Sequence, residues 1–205
     1  MTQPFDRASI SYYDKNSDTF IANTANVDMG KLYKPFLEYI PAGGRILDLG
    51  CGSGRDTKFF SDQSYEVIAI DASSHMVEAT KRIVDADVQQ LRFDEMDFTD
   101  EFDGIWACAS LLHIPETELR GILEKCLKAM RPSGTMYVSF KYGNTQRTKG
   151  GRLFTDLNEA KLMALLDMLE YGLVVRHWVT TDARPDRPNE NWLNALIRTS
   201  GAKTA

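Results

Sequence analysis

Residues 45–54, Arg-Ile-Leu-Asp-Leu-Gly-Cys-Gly-Ser-Gly, constrain the fold more than any other stretch of the chain. A short, mostly apolar run bounded by glycines reads as a buried strand. The glycines end it at once, and the residues after them, to about Ser61, read as a helix. Strand, glycine turn and helix in that order open a βαβ unit. Glycine lets the backbone turn sharply and approach a ligand closely, while the helix start aims its free N–H groups the same way.

The pattern repeats downstream. Glu66–Ile70 reads as a second strand ending at Asp71, and Ser73 or Ser74 caps a helix over His75–Val84. Gln89–Phe93 is a weaker strand and Gly104–Cys108 a stronger one. A helix follows from Glu116 to Met130, stopped at Arg131–Gly134, and then a strand over Thr135–Lys141. Asp156 is expected to cap a helix over Leu157–Tyr171, whose Leu162, Leu165, Leu166 and Leu169 recur at helical spacing. Strands at Leu173–Val179 and Trp192–Arg198 are joined by the loop Thr180–Asn191, too short for a crossover and suited to an antiparallel pair. The fold class expected is α/β: a three-layer sandwich around a Rossmann-like, seven-stranded, mostly parallel sheet with the last strand antiparallel. Residues 1–205 read as one domain, with 1–35 forming an N-terminal helical lid and 40–205 the α/β core.

Composition narrows the partners. Among 205 residues the net charge is −5, which argues against nucleic acid, because phosphate binding needs clustered Lys and Arg. Cys51, Cys108 and Cys126 give no disulfide framework, and His75, His113 and His177 lack metal-ligand spacing, so no metal is expected. No run approaches the roughly 20 apolar residues of a membrane span, and the N-terminus has neither the basic nor the apolar part of a leader. A reducing cytoplasm fits these features.

Two carboxylates give the ligand a sign. Asp48 lies just inside the end of the first strand, where it would repel a pyrophosphate but not an ammonium or a sulfonium. The glycine spacing is G-x-G-x-G rather than the G-x-G-x-x-G of a dinucleotide turn. Asp71, at the end of the next strand, stands where a carboxylate accepts hydrogen bonds from ribose hydroxyls. An adenosine ligand with a cationic tail satisfies both.

At these residues the chain resembles the class I S-adenosylmethionine-dependent methyltransferases. The likeness runs in order from Arg45 to Phe140: DLGCGSG, VIAIDAS, FDGIWACASLLHI and LKAMRPSGTMYVSF. WACASLLHIP, SFKYG and GRLFTD look like a bacterial subgroup akin to the tellurite-resistance methyltransferases. The resemblance implies S-adenosylmethionine as cofactor and S-adenosylhomocysteine as product. It implies Gly50, Cys51, Gly52 and Gly54 under the methionine portion, with Asp48 near the ammonium through the turn or a water. It implies Asp71 on the ribose, Ala72 and Met76 beside the adenine, and Ala107, Cys108 and Ser110 facing the methionine and sulfonium. An acidic residue near the adenine amino group is common in the family. Here the register of Phe93-Asp94-Glu95-Met96-Asp97 leaves Phe93, Asp94 and Asp97 as adenine-side candidates.

Other residues carry two readings each. Asp56 complements the dipole of the helix it opens. Arg55 either reaches the cofactor carboxylate or pairs with a nearby acid. His113, after the fourth strand, is a general-base candidate or a packed histidine. Tyr12 and Tyr13 precede a polar helix at Ser17–Asn26; Tyr13 either touches the reacting groups, as a second catalytic candidate, or anchors the lid. The segment 141–152 borders the crevice of an open α/β sheet, and its Tyr142, Arg147 and Arg152 are substrate candidates. Its Lys141, Lys149 and arginines make an anionic small molecule a fitting acceptor, unless they simply solvate a loop. The reaction expected is direct in-line methyl transfer to a small-molecule nucleophile. A nicotinamide-dependent dehydrogenase, a non-catalytic S-adenosylmethionine-binding module and a partner-activated methyltransferase are the rivals.

Overall fold

The computed structural model describes residues 7–169 and 173–199. Its strands are β1 (Arg45–Leu49), β2 (Glu66–Asp71), β3 (Asp87–Gln90), β4 (Phe102–Ala107), β5 (Met130–Lys141), β6 (Gln146–Lys149), β7 (Arg152–Thr155), β8 (Leu173–Thr181) and β9 (Asn191–Thr199). Its α-helices are α1 (Arg7–Thr24), α2 (Gly30–Leu37), α3 (Arg55–Asp62), α4 (Ser74–Lys81), α5 (Glu116–Ala129) and α6 (Glu159–Asp167). Seven strands form one sheet in the order β3-β2-β1-β4-β5-β9-β8. Pairing from β3 through β5 is parallel, while β9 lies antiparallel between β5 and β8. This is the Rossmann-like sandwich expected, with the reversed last strand slotted inside the edge.

Strand periodicity divides the core between two faces. Leu47 and Leu49 of β1, Ile105 and Ala107 of β4, and Met136, Val138 and Phe140 of β5 join one cluster, closed by α5 and α6 through residues such as Leu123 and Leu162. The alternate residues Ile46, Trp106 and Tyr137 face the other way, against Tyr33, Phe36 and Phe60 of α2 and α3. Trp106 stacks on Tyr137 at 4.0 Å between ring centroids. Strands covered on both faces read as continuous apolar runs, which is why the sequence marks them so clearly.

Strand order reverses direction between β1 and β4, the switch point at which open α/β sheets hold ligands beyond their strand ends. Strands β3 and β5 depart locally from the sequence reading. The third strand is Asp87–Gln90, and Phe93–Glu95 forms a 3-10 turn instead of continuing it. Strand β5 begins at Met130, with its register jumping from Met130 to Thr135 and Ser133 at φ +66°.

Three further differences bear on the site. Tyr12 and Tyr13 lie inside α1, which kinks at Asn16, rather than before a helix. The basic segment after β5 is a hairpin: β6 and β7 pair with Lys149 opposite Arg152 across Gly150-Gly151. Both glycines have positive φ, +58° and +78°, as a two-residue turn matched to strand twist requires. The cap of α6 is Asn158, whose side chain accepts from Lys161 N, and not Asp156. Asp156 instead takes the guanidinium of Arg147. The expected end of that helix, at Tyr171, lies outside the described residues. Among the described residues no helix is long and apolar enough to cross a membrane.

Candidate active site

Beyond the ends of β1 and β4 lies a cavity of about 260 Å³. Its floor is the glycine turn. Gly50, Gly52 and Gly54 have φ of +89°, +52° and +75°, values that side-chain-bearing residues rarely adopt. A Cβ on Gly50 would stand 2.6 Å from Ser110 Cβ, and one on Gly54 2.9 Å from Thr80 Oγ1. The turn is therefore packed as tightly as glycine permits. Gly50 N and Cys51 N both donate to Ile70 O, tying the turn to the end of β2.

Asp71 lies beside that turn. Its two carboxylate oxygens accept from Gly52 N at 3.0 Å and Ser73 N at 2.9 Å, so the backbone holds the carboxylate in the cavity wall. Burial pushes this carboxyl up to about 6, against those N–H groups. Ala72 and Met76 follow it along the wall, with Phe93 and Arg92 from the turn after β3. Cys51, Cys108 and Ser110 also border the cavity. Ser110 Oγ is buried with no hydrogen-bond partner among the described residues.

Seven of the expected residues lie elsewhere, Gly54 among them, since it packs against Thr80 and Ile83. Asp48 is buried beneath the turn, outside the cavity lining, and accepts from Thr57 Oγ1 at 2.5 Å. Burial, then the charge of Asp56, raises its carboxyl well above the carboxylate range. It braces α3 against β1 instead of facing a ligand. Ala107 is fully buried in the core, because the cavity begins one residue later at Cys108. Asp94 holds the Arg92 guanidinium at 2.7 and 2.9 Å, and Asp97 is an exposed partner of Lys128; neither borders the cavity. Tyr142 bonds Glu159, and Arg147 pairs with Asp156; neither borders the cavity.

Arg55 takes the second of its two sequence readings. It forms a bidentate pair with Asp56 at 2.6 and 2.8 Å. The same carboxylate accepts from Tyr33 Oη at 2.5 Å and Trp106 Nε1 at 2.9 Å. Burial opposes its charge, yet Arg55 and these two donors hold the carboxyl below its usual value. Asp56 thus ties α2, α3 and β4 together as well as opening a helix.

The roof comes from α1 and the hairpin. Asp14 accepts from Ser73 Oγ at 2.6 Å, and Leu153 N donates to Ser9 Oγ at 3.1 Å. Phe20 stands over the turn, 3.3 Å from where a Gly52 Cβ would lie. Beneath the roof, Tyr13 Oη and His113 Nε2 are 2.7 Å apart. His113 Nδ1 lies 2.6 Å from Leu153 O, which can only accept, so Nδ1 carries a proton, and in the neutral ring Nε2 is the acceptor for Tyr13 Oη. Burial raises the Tyr13 phenol above its ordinary value, with Arg152 opposing.

The sequence reading passed over Phe20, Arg92 and the far wall, where Asp182, Arg184, Arg187 and Trp192 line the cavity. The Asp-Arg-rich composition of 180–191 was the available signal, but nothing in it says that β8 and β9 turn this loop toward β1.

Residues 46–134 match a family model described as a methyltransferase domain. That match supports, over these residues, the resemblance to the class I S-adenosylmethionine-dependent methyltransferases. The chain is 31% identical over 102 residues to a ubiquinone biosynthesis O-methyltransferase of Rhodopseudomonas palustris, covering 47% of this chain and 40% of that protein. It is 27% identical over 159 residues to the protein of the same description from Xylella fastidiosa, covering 68% and 64%. The chain thus spans between two fifths and two thirds of these relatives. The fold is shared with a 1,6-didemethyltoxoflavin-N1-methyltransferase of Burkholderia thailandensis, solved with 1,6-didemethyltoxoflavin and S-adenosylhomocysteine, at TM-score 0.74 and 22% identity over 97% of this chain and 91% of that one. S-adenosylmethionine is the cofactor of this class, and the cavity suits it: close backbone at the turn, a carboxylate at the end of β2 and an unpartnered buried hydroxyl at Ser110.

Proposed function

We propose that this chain catalyses transfer of a methyl group from S-adenosylmethionine to a small-molecule nucleophile held between the sheet and the α1 roof. The observation that carries the proposal is the open side of the Gly50–Gly54 turn and Asp71 facing a cavity roofed by α1. In this reading Gly50, Cys51 and Gly52 hold the methionine portion, Asp71 the ribose hydroxyls, and Ala72, Met76 and Phe93 the adenine. Cys108 and Ser110 border the methionine and sulfonium. Bound there, S-adenosylmethionine supplies a methyl carbon that its sulfonium already makes electrophilic.

The protein's share is then positioning and exclusion of water. Holding a nucleophile in line can supply about 7–11 kcal/mol of a barrier. Tyr13, Phe20 and Phe154 give the cavity apolar walls, and its volume favours a small acceptor over a polymer. Tyr13 and His113 are placed to take a proton. A nucleophile's proton passes to Tyr13 Oη as the Tyr13 proton passes to His113 Nε2, leaving an imidazolium whose Nδ1–H remains on Leu153 O.

Calorimetric titration with S-adenosylmethionine and separately with NADH tests the cofactor half. Micromolar binding of S-adenosylmethionine alone is expected, and its absence refutes the proposal. Turnover of a panel of small hydroxy, amino and thiol compounds, followed by mass spectrometry for a 14-Da gain, tests the catalytic half. Cofactor binding without any transfer across the panel would favour a non-catalytic binding module.

A further inference from the structure

Six cationic side chains line the cavity of this acidic protein: Arg55, Arg92, Lys141, Arg152, Arg184 and Arg187. Five have a carboxylate within ion-pair distance. Arg55 has Asp56, Arg92 has Asp94, Arg184 has Asp182, and Lys141 and Arg187 share Glu190. Arg152 has none among the described residues. Its single hydrogen bond among them runs from Nη1 to Tyr13 Oη at 3.4 Å, and its buried Nε has no partner. A half-buried guanidinium without a counter-charge is costly, so Arg152 is the cavity cation left to pair with an anion.

The guanidinium is also held flat for binding. It lies 4.2 Å from the ring centroid of Tyr12 and 5.1 Å from that of Phe154. Nε is sealed from solvent among those rings, so the edge formed by Nη1 and Nη2 is the one a ligand can reach. That edge is the fork that takes two oxygens of a carboxylate side by side. Tyr13 Oη in turn bonds His113, so the anion site and the proton acceptor are adjacent.

We infer that the methyl acceptor is a compact organic acid whose carboxylate is gripped by Arg152, with its nucleophilic atom a few bonds away, beside Tyr13. The inference rests on the methyltransferase reading of the same cavity and names the chemical class of its acceptor.

The test uses full-length protein. S-adenosylhomocysteine affinity is measured first, by calorimetry, for the wild type and for Arg152→Met and Arg152→Lys; it reports on the cofactor reading alone. Each protein, saturated with S-adenosylhomocysteine, is then titrated with acetate, benzoate and salicylate and with their uncharged amides. For the wild type at least one acid should bind about tenfold or more tighter than its amide, as a charge-assisted fork provides. Arg152→Met should bring that ratio to within about twofold, and Arg152→Lys should keep part of it, with S-adenosylhomocysteine affinity unchanged in both. Equal binding of acids and amides by the wild type, or no binding of either across the panel, overturns the inference. A loss of S-adenosylhomocysteine affinity in Arg152→Met that Lys restores also overturns it, because the anion at this site would then be the carboxylate of the cofactor. Failure of the wild type to bind S-adenosylhomocysteine refutes the cofactor reading instead; the same titrations without it still read the acid-over-amide ratio.

Discussion

Asp56 offers the sharpest stability test. Replacing it by Ala removes one carboxylate and leaves three buried donors without their acceptor: the Arg55 guanidinium, Tyr33 Oη and Trp106 Nε1. Breaking a buried ion pair by deleting one partner costs about 3–5 kcal/mol. For a chain of this size that corresponds to a fall in Tm of roughly 6–20 °C. Urea denaturation followed by circular dichroism measures the loss directly. The pair itself need not be stabilising, since apolar replacements of both members often match it. Arg55→Met with Asp56→Leu should therefore recover a good part of the loss, and the double-mutant cycle should show coupling well outside additivity. The dependence on pH has a definite sign. The folded carboxyl sits below its ordinary value, so its contribution is present above about pH 4 and is lost as pH falls through the folded value. A loss for Asp56→Ala below about 1 kcal/mol, or simple additivity with the Arg55 variant, would refute the account of Asp56 as the shared acceptor.

The other predictions concern the cavity. Asp71→Asn should weaken S-adenosylmethionine binding about tenfold or more, the scale of a hydrogen bond to a charged group. It should also make the ligand-free protein more stable at pH 7, because the Asp71 carboxyl is held at about 6 and its ionisation opposes folding as pH rises from about 4 to 6; unaltered affinity in calorimetry would remove Asp71 from the site. Gly50→Ala should cost about 2–5 kcal/mol, from positive φ and a close contact with Ser110, whereas Gly150→Ala, with open space around it, should cost only the backbone part of roughly 1–2 kcal/mol; equal losses in denaturant midpoints would contradict the packing of the turn. His113→Asn and Tyr13→Phe should each lower kcat by about 10²–10⁴-fold with cofactor affinity kept, if the acceptor must lose a proton; a kcat like that of the wild type, for an acceptor protonated at assay pH, would exclude the relay. Burial raises the thiols of Cys108 and Cys126 to about 12 and that of Cys51 well above its usual value, so iodoacetamide at pH 8 should label none in the native state and all three after unfolding.

The local chain determined a great deal by itself. An apolar run, three glycines and a helix start can be satisfied in few ways, so β1, its turn and α3 were legible within a residue, as was Asp71 at the end of β2. Even the hairpin carried a local sign in Gly150-Gly151, although the basic residues around it drew attention to their charge instead. What tertiary structure decided was direction. Asp48 and Asp71 are both carboxylates at strand ends, yet one turns under the glycine loop to Thr57 and the other into the cavity. Arg147 and Arg152 share one face of the hairpin, each 5.1 Å from the Phe154 ring, but Asp156 takes Arg147 while Arg152 reaches the cavity. Composition assigns such residues a charge. Which of them keeps that charge for a ligand depends on whether the fold brings a carboxylate alongside, and partners such as Glu190 for Lys141, 49 residues away, are set by sheet order rather than by spacing.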